Sequence, residues 1–465
     1  PVAAASIGQV YKAVLRADAS PTGERMTVAV KCQRPNILET VTLDLLTIRG
    51  VVDFFCTVPG EGNKKLRQDA QGLLAVLDLA ATRFLEELDY LQEAANGARF
   101  EREMNAVPVM RDVVKVPSVL LDYSSRYVIT QEWVEGVKLT DLEGDPKYAN
   151  EEGAALRADV VRKLLNAYMV QFLETGFLHA DPHPGNFLIQ PDGRLCIMDY
   201  GMMTEILPDQ RLAFVEYMAH LTAGQYSKTL DDLVTLGFVS EELAKDPAKR
   251  EVVGPVLAQT LSALYAEGGG LDKKVEILDQ QAQSRIGEIG DKLEELSKEY
   301  PITLPPYFIL ILRAFGTLEG LGLSTNSDFA ILEECFPYIA RRLLSDDSPR
   351  MRSALRTFIY GGGDRLNVAK VEDLTRGFGS FTNAMEAERK VAVTGEGSLA
   401  VRSSATPSGQ LDAATKELLE LMFAPEGNYV QELIIEEAVR AVDSLSRDAL
   451  VQVWQRLPGA PPGAL

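Results

Sequence analysis

One short motif constrains this chain more than any other feature of its sequence. Residues 179–186 read HADPHPGN, and residues 199–201 read DYG. Between them, two apolar triplets flank the turn sequence Pro191-Asp192-Gly193, and this pattern predicts two short strands joined by a tight turn. Such a hairpin holds the residue before its first strand and the residues after its second strand at one end. The chain is therefore expected to bring the polar residues of both segments together.

The polar residues of this motif have the types and the spacing that phosphoryl transfer requires. Asn186 lies five residues after Asp181, and Asp199 lies eighteen residues after it. Asp181 fits the carboxylate that orients or deprotonates the attacking group. Asn186 and Asp199 supply oxygen ligands that can hold Mg²⁺ against a triphosphate. The order H-x-D-x-x-x-x-N followed by an Asp-aromatic-Gly tripeptide is typical of kinases, with Tyr200 in place of the more usual Phe.

A lysine near the start of the chain fits a second element of such a site. Residues 10–14 alternate as in a strand, Pro21-Thr22-Gly23 breaks the run, and residues 27–31 read TVAVK, which together predict a β-hairpin. Kinases carry on the corresponding strand the ammonium that grips the α- and β-phosphates, and Lys31 matches it. The TVAVK string alone is weak evidence for such a lysine. Its position upstream of the HADPHPGN segment strengthens that evidence.

The residues at the start of this hairpin match the sequence pattern of a phosphate-binding loop, but they include fewer glycines than that pattern. Ala3, Ala5, Gly8 and Val10 follow the pattern G-x-G-x-x-G-x-V, with alanine in place of the first two glycines. Glycine is normally used there because it frees the backbone dihedral angles and lets the backbone approach a phosphate closely. Alanine restricts the loop, so we expect its grip on the nucleotide to differ from that of ordinary kinases.

Three separated stretches together resemble the UbiB/ADCK atypical kinases, the activity-of-bc-complex group. They are residues 3–13 (AAASIGQVYKA), residues 87–96 (ELDYLQEAAN) and the HADPHPGN segment. The resemblance covers about residues 1–345. It implies an α+β, protein-kinase-like bilobal fold that binds ATP and Mg²⁺. It also implies a low or specialised kinase or ATPase activity that supports prenylquinone metabolism, of the plastoquinone, tocopherol or ubiquinone type.

The resemblance implies a role for each matching residue of the site. Lys31 becomes the phosphate-gripping lysine, Glu93 its partner on a helix, and Asp181 the catalytic base. Asn186 and Asp199 become the Mg²⁺ ligands. A charged residue of this kind, taken alone, is usually an ordinary surface residue. The order of all of them along the chain is what indicates a nucleotide site.

The resemblance also implies two groups of accessory residues. Glu87 and Asp89 form the family's E-x-D element, just before Glu93. The nucleotide-contacting residues are the Ala-rich loop and a hinge that offers backbone hydrogen bonds to the adenine: Ala3, Ala4, Ala5, Ser6, Gly8 and Val10, then Glu132, Trp133 and Val134. The family also has a K-x-G-Q motif upstream of the Ala-rich loop, and this sequence starts after it.

The pattern along the chain predicts three sections. Residues 1–135 are expected to form a small β-rich N-lobe with inserted helices, and residues 136–344 a mainly helical C-lobe. Residues 345–465 are expected to form a helical C-terminal extension with a Gly/Ser/Thr-rich linker and a loose Pro/Gly tail. Within the N-lobe, residues 119–121 and 127–129 predict two strands joined by a polar turn.

Charge and cysteine content exclude several classes of protein. The 465 residues include 47 Lys and Arg against 67 Asp and Glu, and the net charge of −20 excludes proteins that coat nucleic acid by neutralising phosphates. The four cysteines lie far apart, without a C-x-x-C pair, which is typical of buried thiols in a reducing compartment. The most apolar window, residues 306–323, is interrupted by Arg313 and Glu319, so we expect a buried helix rather than a membrane segment.

The residues leave two alternative functions open. A small-molecule kinase of the aminoglycoside or choline type uses a similar catalytic loop, although the Ala-rich loop speaks against it. A nucleotide-gated pseudokinase scaffold or lipid-handling regulator is favoured by that loop and by residues 202–208, which leave little room for an activation segment.

The resemblance also implies the partners and the location of the protein. Expected partners are a nucleotide, a lipid or prenylquinone, and quinone-biosynthesis enzymes. Peripheral association with a membrane or a lipid droplet is expected, and binding to nucleic acid is not. The favoured location is the chloroplast, at the plastoglobule or the thylakoid, with the mitochondrion as the alternative.

Overall fold

The structure of the protein is a computed structural model. Besides scattered single positions, it describes residues 1–4, 7–57, 88–144, 150–247, 305–326, 331–361, 365–387, 391–393, 399–401, 413–425 and 427–440. Three residues expected at the site, Ala5, Ser6 and Glu87, lie outside the described residues, and so does the expected Pro/Gly tail.

The described part of the chain combines short strands with a larger share of helix. The strands are β1 (Ala3–Ala4), β2 (Gly8–Leu15), β3 (Met26–Gln33), β4 (Val114–Lys115), β5 (Val128–Glu132), β6 (Val137–Lys138), β7 (Phe177–His179), β8 (Phe187–Ile189), β9 (Leu195–Ile197), β10 (Met203–Glu205), β11 (Val391–Val393) and β12 (Leu399–Val401). The helices are α1 (Ile37–Thr57), α2 (Tyr90–Ala106), α3 (Leu139–Gly144), α4 (Glu151–Val170), α5 (Pro208–Thr222), α6 (Tyr226–Thr235), α7 (Glu241–Lys245), α8 (Pro306–Thr325), α9 (Ile331–Ser345), α10 (Pro349–Tyr360), α11 (Val368–Ala387), α12 (Ala413–Met422) and α13 over residues 429–440.

The first sheet carries Lys31 on one of its inner strands. It is antiparallel with the order β1-β2-β3-β5, and Lys31 in β3 pairs with Val10 on one side and Ile129 on the other. Strands β2 and β3 form because β-branched and aromatic residues recur along them, and Gly23 supplies a positive φ of 73° between them. The predicted hairpin is confirmed.

Helix α2 packs against this sheet and positions Glu93. The Asp89 carboxylate caps its N-terminus by accepting hydrogen bonds from backbone N–H groups two and three residues later. Tyr90 and Ala94 are fully buried against Ile129 of β5. Asp89, expected as part of an E-x-D element, therefore fixes the first helical turn, in which Glu93 lies.

The expected strand at residues 119–121 forms only as an isolated β-bridge of Val119 with Gln131, while its partner β5 forms in full. Leu121–Tyr123 make a turn of 3-10 helix instead. The Ser124 hydroxyl donates to the carbonyl of Leu120 and accepts a hydrogen bond from the backbone N–H of Thr130. These side-chain hydrogen bonds offer the backbone an alternative to a strand ladder, and the alternation of apolar residues does not reveal them.

The hairpin predicted between the two polar segments is confirmed as β8 and β9. These strands lie in a second sheet with the order β4-β9-β8-β6, and Gly193 takes a positive φ of 86° in the turn. Strand β7, which leads into the HADPHPGN segment, pairs antiparallel with β10, which follows DYG. Both segments are therefore held by strand pairing on either side.

The helices and the second sheet share one large hydrophobic core. Helix α4 supplies several of its fully buried residues, and the C-terminal helices α10, α11 and α13 add to the same core: Leu156, Val160, Leu164 and Tyr168, then Met351, Leu355, Phe358, Leu374 and Leu433. Helix α10 packs against both α5 and α9. The section boundaries at 135 and 344 stay predictions, since packing is continuous across residue 344.

Part of the expected linker in the C-terminal extension has regular structure. Strand β12 pairs antiparallel with β11, with Ala400 opposite Ala392. Residues 399–401 of the expected linker therefore form a short strand, and the linker as a whole stays a prediction.

Helix α8 is the one helix among the described residues that is long and apolar enough to cross a membrane by length and composition, with a mean hydropathy of 1.3. It packs against α4, α9 and β10. One of its faces is buried in the core: Phe308, Leu310, Ile311, Ala314, Leu318, Leu321 and Gly322. The expectation of a core helix is met along that face.

Candidate active site

Three charged side chains meet where the first sheet approaches the DYG segment. The Lys31 ammonium lies 2.8 Å and 2.9 Å from the two carboxylate oxygens of Glu93, and 3.1 Å from Oδ2 of Asp199. Lys31 stands on an inner strand and Glu93 in a capped helical turn, so both backbones are held firmly. The structure brings together the lysine and the glutamate that the sequence pairs, and it adds Asp199 to them.

Burial and charge act in opposite directions on this cluster. Burial disfavours the Lys31 ammonium, but the carboxylates of Glu93 and Asp199 outweigh it, so the pKa of Lys31 lies above its ordinary value. Burial also disfavours ionised Asp199, but the charge of Lys31 and a hydrogen bond from the backbone N–H of Gly201 outweigh it, so the pKa of Asp199 is lowered. Lys31 and Asp199 are therefore both charged at neutral pH.

Asp199 has a left-handed backbone conformation with φ of 63°, which residues other than glycine rarely adopt. Nε2 of His179 hydrogen-bonds to the Asp199 carbonyl at 2.6 Å, and Nδ1 of His179 lies 2.9 Å from the Tyr168 hydroxyl. Burial lowers the pKa of His179, so the neutral ring donates from Nε2 and accepts from Tyr168. Strained residues of this kind cluster at functional sites. The sequence did not single out Tyr168 for the site.

The catalytic-loop residues lie beside the charged cluster. Nδ2 of Asn186 donates to the carbonyl of Asp181 at 3.1 Å, and the backbone N–H of Met198 donates to the carbonyl of Asn186 at 2.9 Å. The β8–β9 hairpin therefore holds Asn186 beside the segment that carries Asp199. The Asp181 side chain is 37% exposed and faces the same cleft.

Arg313 also contacts Asp181, although the sequence did not single it out for the site. Its Nη2 donates to Oδ1 of Asp181 at 2.8 Å, and its Nη1 lies 3.5 Å from the sulfur of Met202. Arg313 lies 132 residues from Asp181, so no local motif joins them. The available signal was a charge that interrupts an apolar helix, since such a charge needs a polar partner or solvent.

The oxygen atoms of the site suit Mg²⁺. The Asp199 carboxylate and the side-chain carbonyl of Asn186 are ligands of the hard-oxygen type that this ion prefers. The amide nitrogen of Asn186 is engaged with Asp181, which leaves its oxygen as the group free to bind. Because Mg²⁺ usually takes one or two protein groups together with substrate phosphates, this pair fits it.

A cavity of about 70 Å³ opens between these groups. It is lined by Ile7, Lys31, Glu93, Asp181, Asp199, Gly201 and Met202. Small-molecule pockets usually measure about 300–1,000 Å³. The cavity is therefore smaller in this conformation than a typical small-molecule pocket.

The described part of the Ala-rich loop forms an edge strand. Strand β1 pairs with β2, and Ala3 lies opposite Val10. A Cβ atom added to Gly8 would lie 2.6 Å from the Tyr90 hydroxyl and 2.9 Å from the Cys32 carbonyl. Close packing thus explains glycine at position 8, and contact of this loop with a phosphate stays a prediction.

The expected hinge residues follow the end of β5. Oε2 of Glu132 lies 2.6 Å from the Lys115 ammonium, and the backbone N–H of Trp133 donates to the carbonyl of Thr27 at 3.2 Å. Val134 is buried in a small cluster with residues of β8 and β9. These contacts hold the segment between the two sheets, and its contact with an adenine stays a prediction.

Tyr200 is buried, and its additional hydroxyl has a partner. The hydroxyl donates to the carbonyl of Ile197 at 2.5 Å, and the carbonyl of Tyr200 accepts a hydrogen bond from Nδ2 of Asn96 at 2.9 Å. A Cβ atom added to Gly97 would lie 2.9 Å from the Tyr200 ring. Asn96 and Gly97 therefore join α2 to the DYG segment, a function that residues 87–96 did not reveal in the sequence.

Known proteins resemble this chain over most of its length. The pattern of the ABC1 atypical kinase-like domain matches residues 1–233. The uncharacterized protein sll0005 of Synechocystis sp. is 33% identical over 97% of this chain and 57% of its own length. The chloroplastic protein ACTIVITY OF BC1 COMPLEX KINASE 3 of Arabidopsis thaliana is 33% identical over 98% of this chain and 55% of its own length. The chain thus spans little more than half the length of these two relatives.

A third relative is matched over more of its own length. The uncharacterized protein slr1919 of Synechocystis sp. is 31% identical over 98% of this chain and 69% of its own length. A solved structure, the complex of Rv3197 with erythromycin from Mycobacterium tuberculosis, matches 57% of this chain and 59% of that chain at 27% identity and a TM-score of 0.38. The domain match and the relatives agree with the sequence motifs, and the chain therefore belongs to the ABC1 atypical kinase-like family.

Proposed function

We propose that this site binds a nucleoside triphosphate with Mg²⁺ and transfers or hydrolyses its terminal phosphoryl group. The observation that supports this most is the cluster of Lys31, Glu93 and Asp199, in which a carboxylate with 4% exposure holds the ammonium. Charged clusters of this kind are costly to bury, and perturbed ionisable groups collect at functional sites. The strained backbone of Asp199 supports the same proposal.

Each side chain has a separate task in this proposal. Lys31, held by Glu93, donates hydrogen bonds to the α- and β-phosphates. Asp181 orients the attacking hydroxyl or water and accepts its proton. Asn186 and Asp199 hold Mg²⁺, which when bound neutralises negative charge on the triphosphate.

Replacing Asp199 by Asn is expected to abolish most of the stabilisation by Mg-ATP, because it removes a charged ligand while it keeps the size of the side chain. In wild type, a ligand at 100 times its Kd adds about 2.7 kcal/mol to the free energy of unfolding, which raises Tm. Thermal unfolding with ATP and MgCl₂ measures this rise. Asp18→Asn, at an aspartate with 73% exposure, is the matched control and is expected to respond like wild type.

Two outcomes would contradict the assignment of these residues to a site for Mg-ATP. Equal rises of Tm in wild type, Asp199→Asn and Lys31→Ala would remove these residues from nucleotide binding. Equal rises of wild-type Tm with ATP in MgCl₂ and with ATP in EDTA would remove the metal from the proposal. Each variant is compared with its own nucleotide-free Tm, so a general loss of stability does not imitate the expected result.

We also propose that the protein supports prenylquinone metabolism in a plastid. Relatives are named as chloroplastic kinases of Arabidopsis thaliana, and others come from Synechocystis sp.. Association with a plastoglobule or a thylakoid is the finer form of this proposal. Imaging of a fluorescent fusion of the full-length protein tests the location, and a mitochondrial pattern would contradict it.

ATP hydrolysis is expected to rise when a prenylquinone-like lipid or detergent is added, because the proposed role lies at a lipid surface. The measurement is phosphate release with and without the lipid, in wild type and in Asp199→Asn. A stimulated rate that Asp199→Asn loses supports an enzyme that responds to lipid. A wild-type rate that is equal in both conditions contradicts the lipid-linked role.

A nucleotide-gated pseudokinase scaffold is the second candidate function. It is favoured by the small volume of the cleft, about 70 Å³, which nucleotide binding would have to open. In that function, the opening of the cleft on nucleotide binding is the signal, and phosphoryl transfer is not. Mg-ATP stabilisation that Asp199→Asn abolishes, with no turnover in wild type, would favour the scaffold.

A further inference from the structure

We propose that Arg313 is a phosphate-contacting residue, which leaves Asp181 when a nucleoside triphosphate binds and stabilises the phosphoryl group during its transfer. The inference rests on the function proposed above. Its guanidinium donates to Asp181 at 2.8 Å and lies 3.5 Å from the sulfur of Met202. Both of these residues line the same cavity as Lys31 and Asp199. The guanidinium therefore contacts two residues of the cavity wall, and one of them is the group expected to orient the acceptor.

The charges of the site favour a second cationic side chain besides Lys31 and the proposed Mg²⁺. The cavity lining includes three carboxylates, Glu93, Asp181 and Asp199, and one ammonium, Lys31, which already contacts two of them. A triphosphate adds several further negative charges. Lys31 contacts Glu93 and Asp199, and Arg313 contacts Asp181.

The catalytic loop itself contains a histidine, which is a residue type that can carry a positive charge. Nδ1 of His183, two residues after Asp181, accepts a hydrogen bond from the backbone N–H of Gly185 at 3.1 Å. This hydrogen bond helps to fix the shape of the loop in this structure. The positive charge beside Asp181 is instead supplied from α8 by Arg313.

The helix that carries Arg313 combines a fixed backbone with a movable side chain. The neighbouring residues Ile311 and Ala314 are buried in the core, so α8 stays in place. The Arg313 side chain is 48% exposed and Asp181 is 37% exposed, and ion pairs with this exposure are weak. The Asp181 carboxylate accepts one hydrogen bond from Arg313, whereas a triphosphate can accept two parallel ones and carries more negative charge, so exchange of the carboxylate for a phosphate is favourable.

The exchange also releases Asp181 for its own task. The acceptor oxygen forms a bond to the γ-phosphorus while the bond from this phosphorus to the β–γ bridging oxygen breaks. The bridging oxygen keeps the electron pair and leaves as part of the nucleoside diphosphate. The acceptor proton goes to Asp181, and the negative charge on the transferred oxygens lies within reach of Arg313. The arginine finger of GTPases, which stabilises the transferred phosphoryl group in the same way, is worth about 10³–10⁵ in kcat.

The test compares binding of ADP alone with binding of ADP and aluminium fluoride, which imitates the transferred phosphoryl group. Wild type is expected to bind ADP with aluminium fluoride and Mg²⁺ more tightly than ADP with Mg²⁺. Arg313→Ala is expected to lose most of this difference while its affinity for ADP changes by less than about threefold. In turnover, kcat is expected to fall by about 10³-fold with little change in KM for ATP.

Three further variants sharpen the comparison. Arg313→Met keeps the apolar stem and serves if Arg313→Ala does not fold. Arg313→Lys keeps the charge but not the two-pronged geometry, so it is expected to recover the analogue affinity only in part. Arg376→Ala removes one positive charge from an exposed helix pair on α11 and is expected to behave like wild type in both measurements.

Each of the remaining outcomes would overturn the proposal, and the measurements tell these outcomes apart. Faster turnover in Arg313→Ala would identify the Asp181 pair as an inhibitory latch instead. Unchanged analogue binding in Arg313→Ala and Arg313→Met would exclude a contact with the phosphoryl group. Failure of the proposed function would give a different result, because wild type itself would then bind neither ADP nor Mg-ATP. That result would overturn both proposals together.

Discussion

Replacing Lys31 by Met is expected to lower the free energy of unfolding by about 3–5 kcal/mol, because it leaves the buried carboxylate of Glu93 without its ammonium partner. Glu93 is 4% exposed and Lys31 is 20% exposed, so water cannot fully replace the lost charge. Asp199, 3.1 Å from the ammonium, loses the same partner. Unfolding in urea, followed by circular dichroism at neutral pH, measures the change.

Lys12 provides a matched control for this prediction on the neighbouring strand. Its ammonium also lies 2.8 Å from a glutamate, Glu135, but the two side chains are 42% and 70% exposed. Lys12→Met is therefore expected to cost only about 0–1 kcal/mol. The double variant Lys31→Met/Glu93→Gln is expected to recover part of the lost stability, because it removes the second buried charge. Equal costs for Lys31→Met and Lys12→Met would refute this account of the cluster.

Replacing Gly176 by Ala is expected to cost about 2–5 kcal/mol, because the position combines a left-handed backbone with a steric clash. Gly176 has φ of +75°, and an added Cβ atom would lie 2.5 Å from the carbonyl oxygen of Ile206. The Gly176 carbonyl accepts a hydrogen bond from the backbone N–H of Ile206 at 2.7 Å, so neither segment can retreat without losing it. Urea unfolding measures the cost.

Gly224 separates the two contributions to this effect. It has φ of +68°, but no atom lies within 4 Å of an added Cβ. Gly224→Ala is therefore expected to cost only the backbone term, about 1–2 kcal/mol. A Gly176→Ala variant as stable as Gly224→Ala would show that the clash is relieved by movement. Such movement would shift β7 and with it His179, which pairs with Met203 of β10.

Local patterns in the sequence were sufficient for the two hairpins that frame the site. The run from β2 to β3 and the run from β8 to β9 each contain alternating or apolar residues around a glycine turn, and both form as predicted. At residues 119–121 the same reasoning was right only for the bridge at Val119, because the chain turns into 3-10 helix from Leu121, where Ser124 hydrogen-bonds to the backbone. Side-chain competition of this kind leaves no periodic signal.

The sequence by itself determined the family and the residue types of the site. The order of Lys31, Glu93, Asp181, Asn186 and Asp199 indicated phosphoryl-transfer chemistry before any contact was known. Residue type and spacing carry this information because metal ligands, an acid–base group and a phosphate-binding cation each require particular atoms. The Lys31 ammonium then lies 2.8 Å from the Glu93 carboxylate in the structure.

Only the tertiary structure decided which distant residues complete the site. Arg313 contacts Asp181 from a helix 132 residues away, and Tyr168 supports the histidine that holds Asp199. Gly8 proved to be required by the closeness of Tyr90. These contacts depend on how helices and sheets pack against each other, and packing between distant segments has no counterpart in the spacing of residues along the chain.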